Sequence, residues 1–297
     1  MHTNKLYSDV EANGWIPWAA LCPIIGAVFV IGSVLPFHLL LTSLGFMTDE
    51  GDFAGTYGLL LFLLLPFALM IAIVSLWTCY VEKRPLVSIG LSIQEATTTF
   101  PRYLFFGIAM SGTIVFLIAL AGGYQLDAIF PAWSSTSELG MIFLLLIGFC
   151  IQSSAEELLF RGWLLSAITR KSNLLIGITL SSLLFTLLHF DSSVAWYVAV
   201  GSFLFSVFAC SLVLYTNNIW SAMGWHAGWN WFFGCGFEIP ITGVDVDAAA
   251  LIIRLIPTSE VWLNGGAGGP ENGIINLIIL AIGIGVFQWL RLRRAKT

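Results

Sequence analysis

Charge is scarce in this chain. Of its 297 residues, 10% are Asp, Glu, Lys or Arg and 58% are hydrophobic. Soluble domains average about 25% charged residues, so a water-exposed globule is excluded. Like charges gather only in the tail, at Arg291, Arg293, Arg294 and Lys296, and no basic stripe offers itself to nucleic acid. Cysteine is also sparse: Cys22, Cys79, Cys150, Cys210 and Cys235 are odd in number and widely spaced. That pattern excludes a disulfide framework and a Cys-x-x-Cys metal site, and inert buried thiols are expected. Residues 1–14 lack a basic region followed by a short apolar core, so no cleavable signal peptide is expected. No fixed-period repeat and no soluble domain is visible.

What the chain has instead is apolar runs of membrane length. A bilayer core about 30 Å thick needs roughly 20 apolar residues per helix. Alternating strands of about ten residues, the mark of a membrane barrel, are absent. Backbone groups in lipid must be satisfied within the segment, so the runs read as helices. The expected fold is an all-α polytopic transmembrane helix bundle of about eight spans: 15–46, 56–81, 103–123, 138–169, 173–189, 194–215, 219–236 and 273–290. Trp15, Trp18, Trp133, Trp220, Trp262 and Trp289 fall near span ends, as an interfacial aromatic belt requires. With the N-terminus inside, Lys5, Lys83, Arg84, Arg102, Arg161, Arg170, Lys171 and the basic tail fall on or toward the cytoplasmic side. Only Arg254 lies outside. The positive-inside rule therefore places both termini in the cytoplasm, which requires an even number of spans.

Ionisable residues within membrane helices are costly and call for an explanation. Three clusters stand out: Glu156-Glu157-Leu158-Leu159-Phe160-Arg161 in the fourth span, Phe185-Thr186-Leu187-Leu188-His189 closing the fifth, and His226-Ala227-Gly228-Trp229-Asn230 in the seventh. Glu157 and Arg161 are four residues apart and share a helix face, so they can pair. Glu156 points about 100° away and has no local partner. His226 and Asn230 also share a face, which a helix-packing pair would explain equally well. His38, alone in the first span, reads as a packed histidine, and Asp191 as a solvated loop residue. Trp225, Trp229 and Trp231 either line a groove or pack the bundle.

Depth lets the clusters converge. At 1.5 Å per residue, Glu156 and His189 both sit roughly 23–26 Å from the turn near Lys171-Ser172. His226 and Asn230 sit roughly 12–18 Å from the turn near Asn217-Asn218. One site shared by three helices is permitted.

The motifs EELLFR, FTLLH and HAGWN, in that order, resemble those of the CPBP (Abi) intramembrane proteases, the family of type II CAAX prenyl proteases and bacteriocin-processing enzymes. That family carries Glu-Glu-x-x-x-Arg, Phe-x-x-x-His and His-x-x-x-Asn on successive helices. The longer phrases EELLFRGWLL and NNIWSAMGWHAGWN, and the late GGAGGPENG run, are similar as well. The resemblance implies that Glu156 activates a water for attack on a peptide carbonyl and that His189 helps to hold it. It further implies that His226 and Asn230 form an oxyanion hole, that Glu157 and Arg161 brace the motif helix, and that no cofactor is needed. The expected partners are the lipid bilayer and a peptide or lipidated protein substrate, in a bacterial plasma membrane. The catalytic core would span 138–237, after N-terminal helices in 1–137 and before an external Gly-rich loop and last helix in 238–297.

Three rival readings follow from the same residues. Glu156, His189 and His226 are also a hydrolytic zinc ligand set, although no His-Glu-x-x-His helix is present. A transporter would bury ionisable groups at midplane, but with inverted halves that this sequence lacks. A non-catalytic immunity or scaffold protein would keep its binding role without Glu156.

Overall fold

A computed structural model of the chain describes residues 12–189, 196–258 and 260–294. It is a polytopic helix bundle. The helices are α1 (Cys22–Ser43), α2 (Gly55–Leu76), α3 (Ile93–Leu120), α4 (Thr136–Glu157), α5 (Leu165–Lys171), α6 (Leu174–Leu188), α7 (Trp196–Thr216), α8 (Trp220–Trp231), the single turn α9 (Val261–Asn264) and α10 (Ile274–Arg294). π-helical stretches extend α2 (Trp77–Val81), link α4 to α5 (Leu158–Leu164) and extend α8 (Phe232–Gly236). Residues Thr136–Lys171 thus form one long rod. Ser135 starts it by accepting the Glu138 backbone N–H at 3.3 Å, and Asn173 caps α6 in the same way from Ile176 at 3.0 Å.

Six of these segments are long and apolar enough to cross a membrane: Cys22–Ser43, Gly55–Val81, Leu86–Leu120, Thr136–Lys171, Val198–Thr216 and Ile274–Arg294. The protein is an integral, multi-pass membrane protein. Two of the eight expected spans are shorter than these six. The fifth expected span, 173–189, is the 15-residue α6, about 22 Å long at 1.5 Å per residue and short of a bilayer core. The seventh, 219–236, is the 12-residue α8 with its π extension. Ser221 to Asn230 are all buried in protein, so α8 needs neither the length nor the uniform apolarity of a lipid-facing helix.

Glycine places α8. A Cβ on Gly224 or Gly228 would collide with the carbonyls of Phe100 or Leu104 on α3, and one on Gly107 would strike the carbonyl of Trp225. The two helices therefore touch backbone to backbone through a Gly-x-x-x-Gly face. This contact also explains why α3 begins ten residues before the expected 103: its first turns support the buried helix.

The stretch 240–272 is not a free external loop. Ile253–Pro257 (β2) pairs antiparallel with Tyr124–Ile129 (β1), with a bulge between Leu126 and Ala128. Arg254 is held there at 2.9 Å from Glu238 and 3.4 Å from Asp127. The hydrogen bond that Arg254 donates to Glu238, with the charge of that carboxylate and then the contact with Asp127, raises the guanidinium's pKa above its ordinary value.

Arg84, expected on or toward the cytoplasmic side, is buried and ion-paired with Glu82. Glu82 also accepts from the indoles of Trp77 (3.2 Å) and Trp163 (2.7 Å), while Arg84 donates to Ser166 at 3.0 Å. Sequence charge alone overlooks this knot because two indoles and a hydroxyl share the task of solvating the ions. Of the five free cysteines, Cys22, Cys210 and Cys235 are buried as expected, whereas Cys150 is half-buried and Cys79 is exposed.

Candidate active site

The π stretch Leu158–Leu164 begins directly after the two glutamates of α4, so Glu156 and Glu157 are the last α-helical residues before the helix widens. Such interruptions recur at functional sites. Glu157 and Arg161 form the expected ion pair at 3.0 Å, with both side chains fully buried. The Arg161 guanidinium also lies 4.5 Å over the Phe185 ring.

Glu157 does more than pair locally. Its Oε1 also accepts from His226 Nδ1 at 2.9 Å, which ties α4 to α8. A carboxylate can only accept, so the Nδ1 hydrogen is committed and His226 Nε2 is the ring's second functional atom. That nitrogen stands 3.9 Å from Glu156 Oε2. Glu156 Oε2 is itself buried and, among the described residues, has no hydrogen-bond partner.

His189 closes α6. Its Nδ1 lies 2.8 Å from the Phe185 carbonyl, to which it must donate, so a neutral ring keeps a lone pair on Nε2. The imidazole stacks on Phe185 with centroids 4.2 Å apart, which fixes its plane. Asn230 Nδ2 donates to Gln152 Oε1 at 3.2 Å.

Glu156, His189, His226 and Asn230 all line one cavity of about 290 Å³ inside the bundle. Gln152 shares that wall. Phe53, Leu59, Phe62, Leu63, Phe67, Phe149, Phe185 and Phe205 supply an apolar surround. The cavity also meets Ile241, Thr242, Val244, Glu271 and Asn272, so the 240–272 stretch packs over the site. Glu271 fastens it there: one carboxylate oxygen accepts from Trp229 Nε1 at 2.7 Å, the other from Thr242 N and Oγ1 at 2.8 Å each.

Several sequence expectations resolve here. Trp225 and Trp229 are fully buried packing residues, and neither they nor Trp231 line the cavity. His38 is not among the lining residues either. Asp191 lies outside the described residues. Among those described, no three His, Cys, Asp or Glu side chains form a set able to hold a metal, Glu156, His189 and His226 included. Gln152 and Glu271 were not singled out by sequence. Gln152 sits one helical turn before Glu156 on the same face, and that spacing was the available signal.

No curated protein matches the chain. Residues 138–232 match the family model described as type II CAAX prenyl endopeptidase Rce1-like. At family level the match supports a CAAX-protease-like intramembrane endopeptidase with the bilayer and a peptide substrate as its general partners. Over residues 138–232 this membrane protein is similar to the Rce1-like proteins, consistent with the CPBP (Abi) family.

Proposed function

We propose that the protein hydrolyses a peptide bond in a membrane-associated or hydrophobic peptide, using a water activated by Glu156. The observation that carries this reading is the placing of the Glu156 carboxylate on the cavity wall. That group is buried, has no hydrogen bond at Oε2 among the described residues, and shares a cavity with His189, His226 and Asn230. Glu156 takes a proton from water as the oxygen attacks the carbonyl carbon. The His189 Nε2 lone pair accepts the second water hydrogen and fixes the direction of attack. The oxyanion then faces Asn230 Nδ2, and His226 Nε2 when that ring carries both protons. As the C–N bond breaks, Glu156 returns its proton to the departing amine. General-base action of this kind contributes about 10²- to 10⁴-fold.

The apolar wall favours a substrate segment with large hydrophobic side chains, lipidated or not, entering from the membrane. Cytoplasmic termini fit the basic tail, where Arg293 lies 4.0 Å over the Trp289 ring and Arg294 4.1 Å over Tyr215.

The test is cleavage of a quenched peptide library by the detergent-purified protein, wild type beside Glu156→Ala, with and without chelator. Cleavage abolished by the substitution and insensitive to chelator supports the proposal. Cleavage lost with chelator and restored by zinc would establish the metal-dependent alternative. Equal cleavage by both proteins would remove Glu156 from the chemistry.

A further inference from the structure

The proposed oxyanion hole is short of donors whenever His226 is neutral. The Nδ1 hydrogen of that ring is committed to Glu157 at 2.9 Å, so only a doubly protonated imidazole can donate from Nε2. Asn230 spends one Nδ2 hydrogen on Gln152 Oε1 and keeps one. A tetrahedral oxyanion in a dry site is best served by two or more preorganised donors.

Gln152 can supply the missing one. It lies on α4 one turn before Glu156, is 8% exposed and lines the cavity. Its Oε1 accepts from Asn230 Nδ2 at 3.2 Å and from Ser153 Oγ at 3.1 Å. Both contacts set Oε1 against Asn230 and Ser153 and leave Nε2 as the other end of the carboxamide. The Nε2 end donates to nothing among the described residues, although the side chain is more than nine-tenths buried. An amide N–H with no protein acceptor on a cavity wall is free to donate to a group that enters the cavity.

We propose that Gln152 is a further catalytic residue, which donates from Nε2 to the substrate carbonyl oxygen as it becomes an oxyanion and holds the Asn230 carboxamide in register beside it. The two amides then form a donor pair that works with His226 neutral. This inference rests on the protease reading above. It adds to that reading a residue outside the three motifs.

The experiment measures kcat and KM on a peptide that the wild type cleaves, for Gln152→Met, Asn230→Ala and the double variant, with thermal melting of each in detergent. Met keeps the length and removes both the donor and the acceptor. For Gln152→Met, kcat should fall by on the order of 10²-fold with KM within about threefold, because the lost bond is strongest in the transition state. The double variant should be slower than Asn230→Ala by a further tenfold or so. A double variant no slower than Asn230→Ala would reduce Gln152 to a support for Asn230 and overturn the proposal. So would a Gln152→Met kcat within twofold of wild type. If Gln152→Met does not fold, Gln152→Glu carries the test. It keeps the acceptor for Asn230 and Ser153 but lacks the amide N–H pair, so an undiminished kcat would be equally fatal. Wild-type cleavage that survives Glu156→Ala would instead bring down the protease reading itself.

Discussion

Glu157 Oε1 lies 2.9 Å from His226 Nδ1, joining two helices across 69 residues of chain. The same oxygen receives Arg161 Nη1 at 3.0 Å. One carboxylate thus balances a buried guanidinium and sets the orientation of a cavity-lining imidazole. Of the two adjacent glutamates, Glu157 is tied through Oε1 to Arg161 and His226, and Glu156 is the one that lines the cavity.

That double duty can be separated by mutation. Glu157→Ala leaves Arg161 as a buried charge without its carboxylate, a loss of about 3–5 kcal/mol. Adding Arg161→Met removes the stranded charge. The double variant should recover most of the lost thermal stability but not the cleavage, because His226 Nδ1 still has no acceptor. Melting temperature and peptide turnover measured on the same samples decide this. Recovery of both together would confine Glu157 to a structural role.

The close approach of α3 and α8 predicts sensitivity to a single methyl. Gly228→Ala pushes a Cβ into the Leu104 carbonyl, which is backbone and cannot swing aside. We expect destabilisation at or above the usual 1–3 kcal/mol for overpacking, with cleavage impaired because His226 and Asn230 flank the residue. Gly140→Ala on α4 meets open space and should change melting negligibly. Equal effects of the two substitutions would contradict the packing account.

The Glu271 carboxylate accepts three hydrogen bonds, one from Trp229 that ties the 240–272 stretch to α8 over the cavity and two from Thr242 within the stretch. Hydrogen bonds to a charged group are worth about 1.5–3 kcal/mol each. Glu271→Gln weakens them, and amide exchange at Thr242 should accelerate about tenfold or more while exchange within α8 stays unchanged. An unaltered rate at Thr242 would mean that the stretch is held by its other contacts, including the β1–β2 pairing.

How much of this was legible beforehand differs by element. The membrane bundle was, because unbroken apolar runs admit few other structures. The Glu157–Arg161 pair was too, since four residues on a helix bring side chains together. The depth argument allowed Glu156, His189, His226 and Asn230 to meet, and all four line one cavity. The Glu157–His226 bond was not legible, because it depends on how α4 and α8 rotate toward each other, and no spacing within one segment encodes that. The burial of α8 was not legible, because indoles and apolar residues that pack against protein read the same as those that face lipid. Its Gly224 and Gly228 were the overlooked sign of close helix contact. The fold-back of 240–272 depends on pairing with β1 and on one carboxylate, Glu271, that composition does not distinguish from a solvated loop residue.

The central claim is that Glu156 is the base. The most direct test is the single-turnover cleavage rate of wild type and Glu156→Gln, reconstituted in the same lipid vesicles with one peptide substrate. Gln keeps the shape and removes the basic oxygen. The account predicts a rate lower by about 10³-fold, within the 10²- to 10⁴-fold range of general-base catalysis, with melting temperature and substrate affinity preserved. A Glu156→Gln rate within a few-fold of wild type would contradict it.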